Sequence, residues 1–213
     1  MKKGLSILIN ILLFAVIVFL AWQVVKSIQA PIKFNTEQKA RETKVVERLI
    51  DIRNAEVLYK NANNKYTANF DSLIQFCQTA EIPIVKIVPD PTDTTFTRTI
   101  NDTIGYVKVM DSLKSGRESF NINDLKWVPF SQPQQNYELE AGTIQRNGIA
   151  IPVFEARTPY EVYLANPGAA FSEKEWKQRV DNAKAERESI NRYAGLKVGS
   201  MEEATTDGNW EKL

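Results

Sequence analysis

The chain of 213 residues contains no histidine and a single cysteine, Cys77. The absence of histidine excludes Ser-His-Asp and Cys-His catalysis, histidine-containing zinc sites and the commonest general base at neutral pH. One cysteine cannot form an intrachain disulfide and cannot build a cysteine-rich metal site. Because Cys77 shares a helical spacing with Phe70, Leu73 and Ile74, we expect it to be a small core residue rather than a nucleophile.

The glycine-rich motifs that bind phosphates are also missing. Only 9 residues are glycine, and neither G-x-x-x-x-G-K-[ST] nor G-x-G-x-x-G occurs, so phosphate loops and dinucleotide sites are not predicted. Lysine and arginine number 27, against 26 aspartate and glutamate residues, without the basic clusters that nucleic acids require. We therefore expect no cofactor, no nucleic-acid partner and no enzymatic activity.

Carboxylates are the remaining candidates for chemistry. Composition does not exclude a hydrolase built on two of them, because acidic residues are plentiful. Two acidic groups lack the regular spacing of a calcium loop, so we expect solvated turns there and no metal site. One group comprises Asp90, Asp93 and Asp102, and the other comprises Glu202, Glu203, Asp207, Asn209 and Glu211.

Charge is absent from one long stretch, Leu5 to Val25, which only Ser6, Asn10 and Gln23 interrupt. A helix of this length spans about 30 Å, the hydrocarbon thickness of a bilayer. It offers no polar side that would suit a helix in water. The stretch therefore predicts a membrane anchor, marked by Leu5, Asn10, Phe14, Phe19 and Trp22.

The flanks of the stretch predict its orientation. Lys2 and Lys3 precede it without any acidic residue, which favours a cytoplasmic N-terminus. We predict a tail and anchor over residues 1–31 in an inner membrane, and an α+β domain over residues 32–213 in the periplasm. A cleaved signal peptide ending near Ala30 is the alternative, although its apolar core is usually only about 7–15 residues long. Within the anchor, the amide of Asn10 would gain from a partner helix, unless it lies close enough to one end to reach the membrane interface.

A second helical pattern runs from Thr36 to about Asn61, after Pro31, which can either kink the preceding helix or end it. Glu56 and Lys60 are spaced as an i,i+4 ion pair on it. Apolar residues recur every three or four positions and predict a face that packs on the protein's own domain, with a coiled coil between two copies as the alternative. This packing face consists of Val45, Leu49, Ile52, Ala55 and Tyr59.

The remainder predicts an antiparallel sheet, preceded by a short helix capped by Asn69 or Asp71 and followed by a surface helix. A type I′ turn at Asn147-Gly148 joins the clearest pair of strands, which Tyr160 to Leu164 extends. The last helix begins with a capping box of Ser172 and Glu175 and stops at Gly195. Further predicted strand segments are Ile82 to Val88, Thr94 to Ile100, Gly105 to Met110, Leu125 to Phe130, and Leu196 to Gly199. Asn101-Asp102 is predicted to separate the second of these segments from the third.

The N-terminal third resembles type IV pilins and type II secretion pseudopilins. Lys2-Lys3-Gly4 stands directly before the apolar helix, and Tyr59, Asn64-Lys65-Tyr66 and Leu73 follow it as in the end of a pilin helix. The resemblance implies a long helical spine with an antiparallel sheet on its C-terminal half, and peptidase cleavage between Gly4 and Leu5. Ile9 stands where pilins carry glutamate. The whole chain also resembles an uncharacterised family of Bacteroidetes membrane proteins, which implies no particular activity.

Together these patterns predict a single-pass, non-enzymatic structural or adaptor subunit of a bacterial envelope assembly. Its partners would be the lipid bilayer and either other envelope proteins or copies of itself. The alternative is a membrane-tethered periplasmic module that binds a ligand or glycan. That alternative predicts an aromatic-lined site, whereas the subunit hypothesis predicts that the same rings lie in the core. The rings in question are Trp127, Phe130, Tyr137, Tyr160 and Tyr163.

Overall fold

One helix, α1 (Lys2–Asn63), dominates the computed structural model, which describes residues 2–89 and 99–211. It has 62 residues and is therefore about 90 Å long. Pro31 lies inside it, so the proline does not end the helix. The apolar stretch and the second amphipathic pattern thus belong to one continuous element.

The second helical pattern was predicted to end at about Asn61, and α1 ends two residues later at Asn63. Asn64 has a left-handed backbone with φ of 57°, and its N–H donates to the Lys60 carbonyl at 2.7 Å. Helix α2 (Phe70–Thr79) follows, and the Asn69 side chain caps it by accepting from the N–H groups of Asp71 and Ser72. Asn69 is therefore the cap, rather than Asp71.

Strands β1 (Glu81–Pro89) and β2 (Thr99–Lys108) form an antiparallel two-stranded sheet. The predicted break at Asn101-Asp102 is wrong, because both residues lie within β2 and pair with Ile87 and Lys86. The irregularity falls instead opposite the Ile84/Val85 step, where the register shifts. Residues 94–98 of the predicted strand lie outside the described residues. Met110 is not in a strand but in helix α3 (Val109–Lys114).

The predicted strand Leu125 to Phe130 is wrong. A short 3₁₀ turn (Ile122–Asp124) leads into a bend in which Trp127 makes a single bridge with Asn136. Pro129 has no N–H to donate, and Phe130 has φ of 65°, so the extended backbone ends there.

The predicted hairpin is confirmed by β3 (Glu138–Arg146) and β4 (Ile149–Pro159). Asn147 and Gly148 have φ of 53° and 79°, as a type I′ turn requires. Strand β5 (Gly195–Gly199) pairs with residues 155–159 of β4 and completes a three-stranded sheet. Pro152 lies in the half of β4 that β5 does not reach, which explains why a strand in the middle of the sheet tolerates it.

Two helices separate β4 from β5. The predicted extension of the hairpin over Tyr160 to Leu164 is wrong, because these residues begin helix α4 (Tyr160–Tyr163). Helix α5 (Glu173–Ser189) carries the Ser172–Glu175 capping box at its start. It stops before Gly195, since Asn191 takes a left-handed backbone and Gly195 begins β5.

The core of the domain lies where the second half of α1 meets the helices and the three-stranded sheet. The protein is therefore α+β, with a long N-terminal apolar helix and two small antiparallel sheets. The buried side chains that fill the core include Val45, Leu49, Ile52, Ala55, Leu73, Leu125, Phe154, Tyr163, Trp176 and Val198.

Candidate functional site

The first half of α1 exposes its apolar side chains in every direction. Consecutive residues such as Leu12, Leu13 and Phe14 are all exposed, Phe14 by 69%. The most apolar 18-residue window has a mean hydropathy of 2.3, and none of it is buried. By length and composition, this helix can cross a membrane.

The predicted anchor residues lie along this exposed segment. Asn10, Phe14, Phe19 and Trp22 are exposed, and the rings of Phe19 and Trp22 lie 6.3 Å apart. Gly4 and Leu5, at the predicted cleavage point, belong to the first turns of α1.

The predicted packing face lies some 20 residues further along the same helix. Val45, Leu49, Ile52 and Ala55 are fully buried, and Tyr59 is half-buried against Phe76 with ring centroids 5.1 Å apart. This face packs against α2, α3, β4 and β5 of its own domain. The C-terminal half of α1 therefore packs against the domain, and the N-terminal half remains uncovered.

Strands β1 and β2, called here the β1–β2 ribbon, form a second uncovered apolar surface. Ile87 and Tyr106 are 68% and 67% exposed, although isolated two-stranded sheets are marginally stable in water. In the part of the chain that the structure describes, no third strand joins either edge. The ribbon meets the domain at its base, where the Val109 N–H donates to the Ala80 carbonyl at 3.1 Å. Its other exposed apolar residues are Ile84, Val85, Ile100 and Ile104.

Sequence reasoning predicted strands here but not their exposure. The segment Ile82 to Val88 is apolar on both faces of a strand, a pattern that normally indicates a strand buried on both sides. The local sequence does not distinguish a strand that is buried within its own domain from one that a partner covers. The ribbon therefore becomes visible as a candidate surface only in three dimensions.

A carboxylate on α1, Glu56, is buried in the core. Glu56 is fully buried, and its Oε2 accepts a hydrogen bond from the Thr67 N–H at 3.1 Å. Its Oε1 has no hydrogen-bond partner among the described residues. Burial raises the pKa of Glu56 to about 8, and the Thr67 N–H opposes this rise. The predicted ion pair with Lys60 is wrong, because Lys60 lies over the Tyr66 ring instead, 5.3 Å from its centroid.

Cys77 faces the same interior and is buried, as expected for a core residue. Burial, with a smaller contribution from the charge of Glu56, raises the pKa of the Cys77 thiol to about 12. A thiol with such a pKa is protonated at neutral pH, and it is the thiolate that acts as a nucleophile. In the folded protein Cys77 is therefore a packing residue.

Arg41 is a second buried polar residue on α1. Its guanidinium lies 4.9 Å from the Trp176 ring centroid and 5.4 Å from that of Phe130. It donates to the Asn166 carbonyl at 2.9 Å and pairs with Glu37 at 2.9 Å. These contacts hold α1 against the segment before α5, so the role of Arg41 is structural.

The five aromatic residues of the predicted binding site do not converge on one cavity. Tyr137, Tyr160 and Tyr163 are buried in the core, where the Tyr137 hydroxyl donates to the Val45 carbonyl at 3.3 Å. Trp127 is half-buried, and Phe130 is 47% exposed beside Arg41. Three of the five rings thus lie in the core, whereas exposed Phe130 does not match the prediction that all five would be buried there.

The structure describes only some residues of the two predicted acidic groups. Asp90 and Asp93 lie outside the described residues. In the tail, Glu211 pairs with Arg53 at 2.7 Å, and the Asn209 side chain accepts from the Lys197 N–H at 3.1 Å. Among the residues that the structure describes, no three cysteine, aspartate or glutamate side chains are grouped so that they could hold a metal ion.

Comparison with models of protein families, with curated proteins and with solved structures finds no match for this chain.

Proposed function

We propose that this protein is a non-enzymatic, single-pass subunit of a bacterial envelope assembly. The apolar half of α1 holds it in the inner membrane, with the N-terminus in the cytoplasm and residues 32–213 in the periplasm. The β1–β2 ribbon binds another protein of the assembly. The single observation that carries this proposal is the presence of two uncovered apolar surfaces on one chain, the apolar half of α1 and the β1–β2 ribbon.

The anchor supports the membrane part of the proposal. Its side chains are exposed around the whole helix, so water would contact an apolar cylinder about 30 Å long if no lipid surrounded it. Lys2 and Lys3 stand at one end without acidic neighbours, which favours the cytoplasmic side for that end. In hydrocarbon, the Asn10 amide supports lateral contact with a helix of a partner.

The ribbon supports the subunit part of the proposal. Its edges offer unpaired backbone groups, and its exposed isoleucines and Tyr106 offer apolar area for contact. Natural proteins usually protect such edges with charge or cover them with another element. A protein partner can pair with the open edges as well as cover the apolar faces, whereas lipid chains cannot hydrogen-bond to those edges.

The relation between α1 and the domain supports a pilin-like architecture. The C-terminal half of α1 packs on the three-stranded sheet through β4 and β5, while its N-terminal half projects beyond the domain. This is the arrangement that the resemblance to pilins and pseudopilins implies. The burial of Tyr137, Tyr160 and Tyr163 also favours a subunit over a ligand- or glycan-binding module.

Photo-cross-linking in cells tests the proposal. A photoreactive phenylalanine analogue at Ile87 or Tyr106 should give a discrete adduct with one envelope protein upon irradiation. Ile149 is a matched control, because it is 65% exposed but lies at the turn of the β3–β4 hairpin. Mass spectrometry then identifies the partner, which is either a different protein or a second copy of this chain.

The proposal fails if the two ribbon positions yield no discrete adduct in membranes that contain the intact protein. It also fails if Ile149 yields the same adducts with equal efficiency, because exposure alone would then account for the cross-links.

A further inference from the structure

A cavity of about 270 Å³ lies where the apolar stretch of α1 ends and helix α5 begins. Trp22 and Val25 of the apolar stretch form one side of it. The basic side chains of Lys26, Lys33 and Arg179 form much of the remainder. The cavity therefore joins an apolar wall to a basic one at the end of the anchor.

An aromatic cluster fixes this geometry by holding the start of α5 against α1. The Phe34 ring lies 5.0 Å from that of Trp176 and 6.3 Å from that of Phe171, measured between centroids. Phe34 and Trp176 are buried, and the Trp176 indole N–H donates to the Leu164 carbonyl at 2.6 Å. Arg179 is thereby placed beside the two lysines of α1, although it is distant from them in sequence.

The charges of the cavity are unbalanced. Among the residues that the structure describes, Glu175 is the only acidic one that lines the cavity, against three basic residues. Glu175 already accepts hydrogen bonds from the N–H and hydroxyl of Ser172. These bonds, and to a smaller extent the charges of Lys26 and Arg179, lower the pKa of Glu175. Over residues 2–89 and 99–211, no carboxylate lies within 4.0 Å of the three basic groups. The cavity thus has a surplus of positive charge.

The depth of the cavity matches the headgroup layer. Lys26 is the first charged residue after the apolar stretch, and Lys33 lies about 10 Å further along the helix. The headgroup layer on each side of the hydrocarbon is about 5–8 Å thick. Lys26 lies over the Trp22 ring, 5.7 Å from its centroid, and tryptophan prefers this layer. Lys26 therefore stands at the level of the lipid phosphates, and Lys33 and Arg179 line the same cavity just beyond it.

We propose that this cavity binds the headgroup of an anionic phospholipid. Lys26, Lys33 and Arg179 contact the phosphate, and the lipid chains pass along Trp22 and Val25 into the hydrocarbon. The bound lipid ties α5 to the membrane surface and so fixes the position of the domain above it. This inference rests on the membrane anchoring in the proposed function. The apolar wall favours a lipid over a soluble phosphate, which would leave that wall without a contact.

Native mass spectrometry of the full-length protein in a neutral detergent tests the inference. The protein is mixed with equal amounts of phosphatidylglycerol and phosphatidylcholine, and bound lipids are counted. We expect phosphatidylglycerol to be enriched at least about fivefold, the factor that one basic side chain contributes near an anionic lipid surface. The variant Lys26→Gln/Lys33→Gln/Arg179→Gln should lose this enrichment. A control with three exposed lysines replaced elsewhere, Lys44→Gln/Lys65→Gln/Lys114→Gln, should retain it.

Three outcomes overturn the inference. Equal retention of the two lipids contradicts it, as does equal loss of enrichment in both triple variants, which would indicate a nonspecific effect of net charge. Displacement of the lipid by excess inorganic phosphate would show that a soluble anion is the ligand. Flotation with liposomes distinguishes a failure of the proposed lipid site from a failure of the proposed anchor. A protein that floats without lipid preference keeps the anchor and loses the lipid site, whereas a protein that does not float loses both.

Discussion

Replacing Glu56 with glutamine should stabilise the protein increasingly as the pH rises. Glu56 is fully buried, with one oxygen bonded to the Thr67 N–H and the other without a partner among the described residues. Burial raises its pKa from the ordinary 4.5 to about 8. Glutamine has the shape of the protonated acid and can still accept from Thr67, but it carries no proton that is lost at high pH.

The magnitude follows from linkage. Between pH 4.5 and 8 the folded protein holds a proton on Glu56 that the unfolded chain releases, so each pH unit costs about 1.36 kcal/mol of unfolding free energy. The cost is absent below the ordinary pKa, grows through this window and levels off above pH 8. The gap in stability between Glu56→Gln and the original chain should therefore widen by about 4 kcal/mol from pH 5 to pH 8.

Denaturant titration of the full-length protein in a neutral detergent, followed by tryptophan fluorescence, measures this gap. The matched control is Glu47→Gln on the same helix, because Glu47 is exposed and pairs with exposed Lys44 at 3.0 Å. Its effect should stay within about 1 kcal/mol at every pH. A gap for Glu56→Gln that stays constant from pH 5 to pH 8 would refute the reasoning, since the carboxyl would then ionise in the fold without cost.

Two further predictions concern the core. Cys77 should react with iodoacetamide at pH 8 far more slowly in the folded protein than in denaturant, because burial raises the pKa of its thiol to about 12. Mass spectrometry measures the alkylation, and rapid alkylation of the folded protein would contradict this prediction. Leu49→Ala should lower the unfolding free energy by about 2–5 kcal/mol, because it leaves a cavity under α1 in a fully buried position. Lys39→Ala on the exposed side should cost less than about 0.5 kcal/mol in the same denaturant titration.

Features set by local chemistry could be predicted from the sequence. Asn147-Gly148 specifies a type I′ turn because both residues take positive φ readily, and the alternating strands on either side follow from that turn. Asn69 caps α2, and Asn64 ends α1 for a similar reason. The uncharged stretch likewise predicts a helix that can cross a membrane, because its length alone carries the signal.

Features set by distant contacts could not be predicted. Tyr160 to Leu164 and Leu125 to Phe130 are short apolar segments that fit a strand or a helix equally well, and packing decided between them. Asn101-Asp102 has a composition typical of turns, yet pairing with β1 keeps it extended. Glu56 has the spacing of a surface ion pair with Lys60, and only the approach of Thr67 and α2 buries it.

The candidate surfaces divide in the same way. The anchor can be predicted from its own residues. The β1–β2 ribbon is apolar on both faces, and whether it is exposed depends on how the rest of the chain packs, which its own sequence does not specify. The cavity at the end of the anchor joins Lys26 and Lys33 to Arg179 across almost 150 residues of sequence. Contacts distant in sequence, such as that of Phe34 with Trp176, bring these groups together.

The most direct test of the account is the intact mass of the mature protein after its native membranes are washed with alkaline carbonate. The account predicts that the chain stays in the membrane fraction and retains residues 5–25, beginning at Met1 or, after pilin-like cleavage, at Leu5. A chain that is released into the soluble fraction and begins near residue 31 would contradict it.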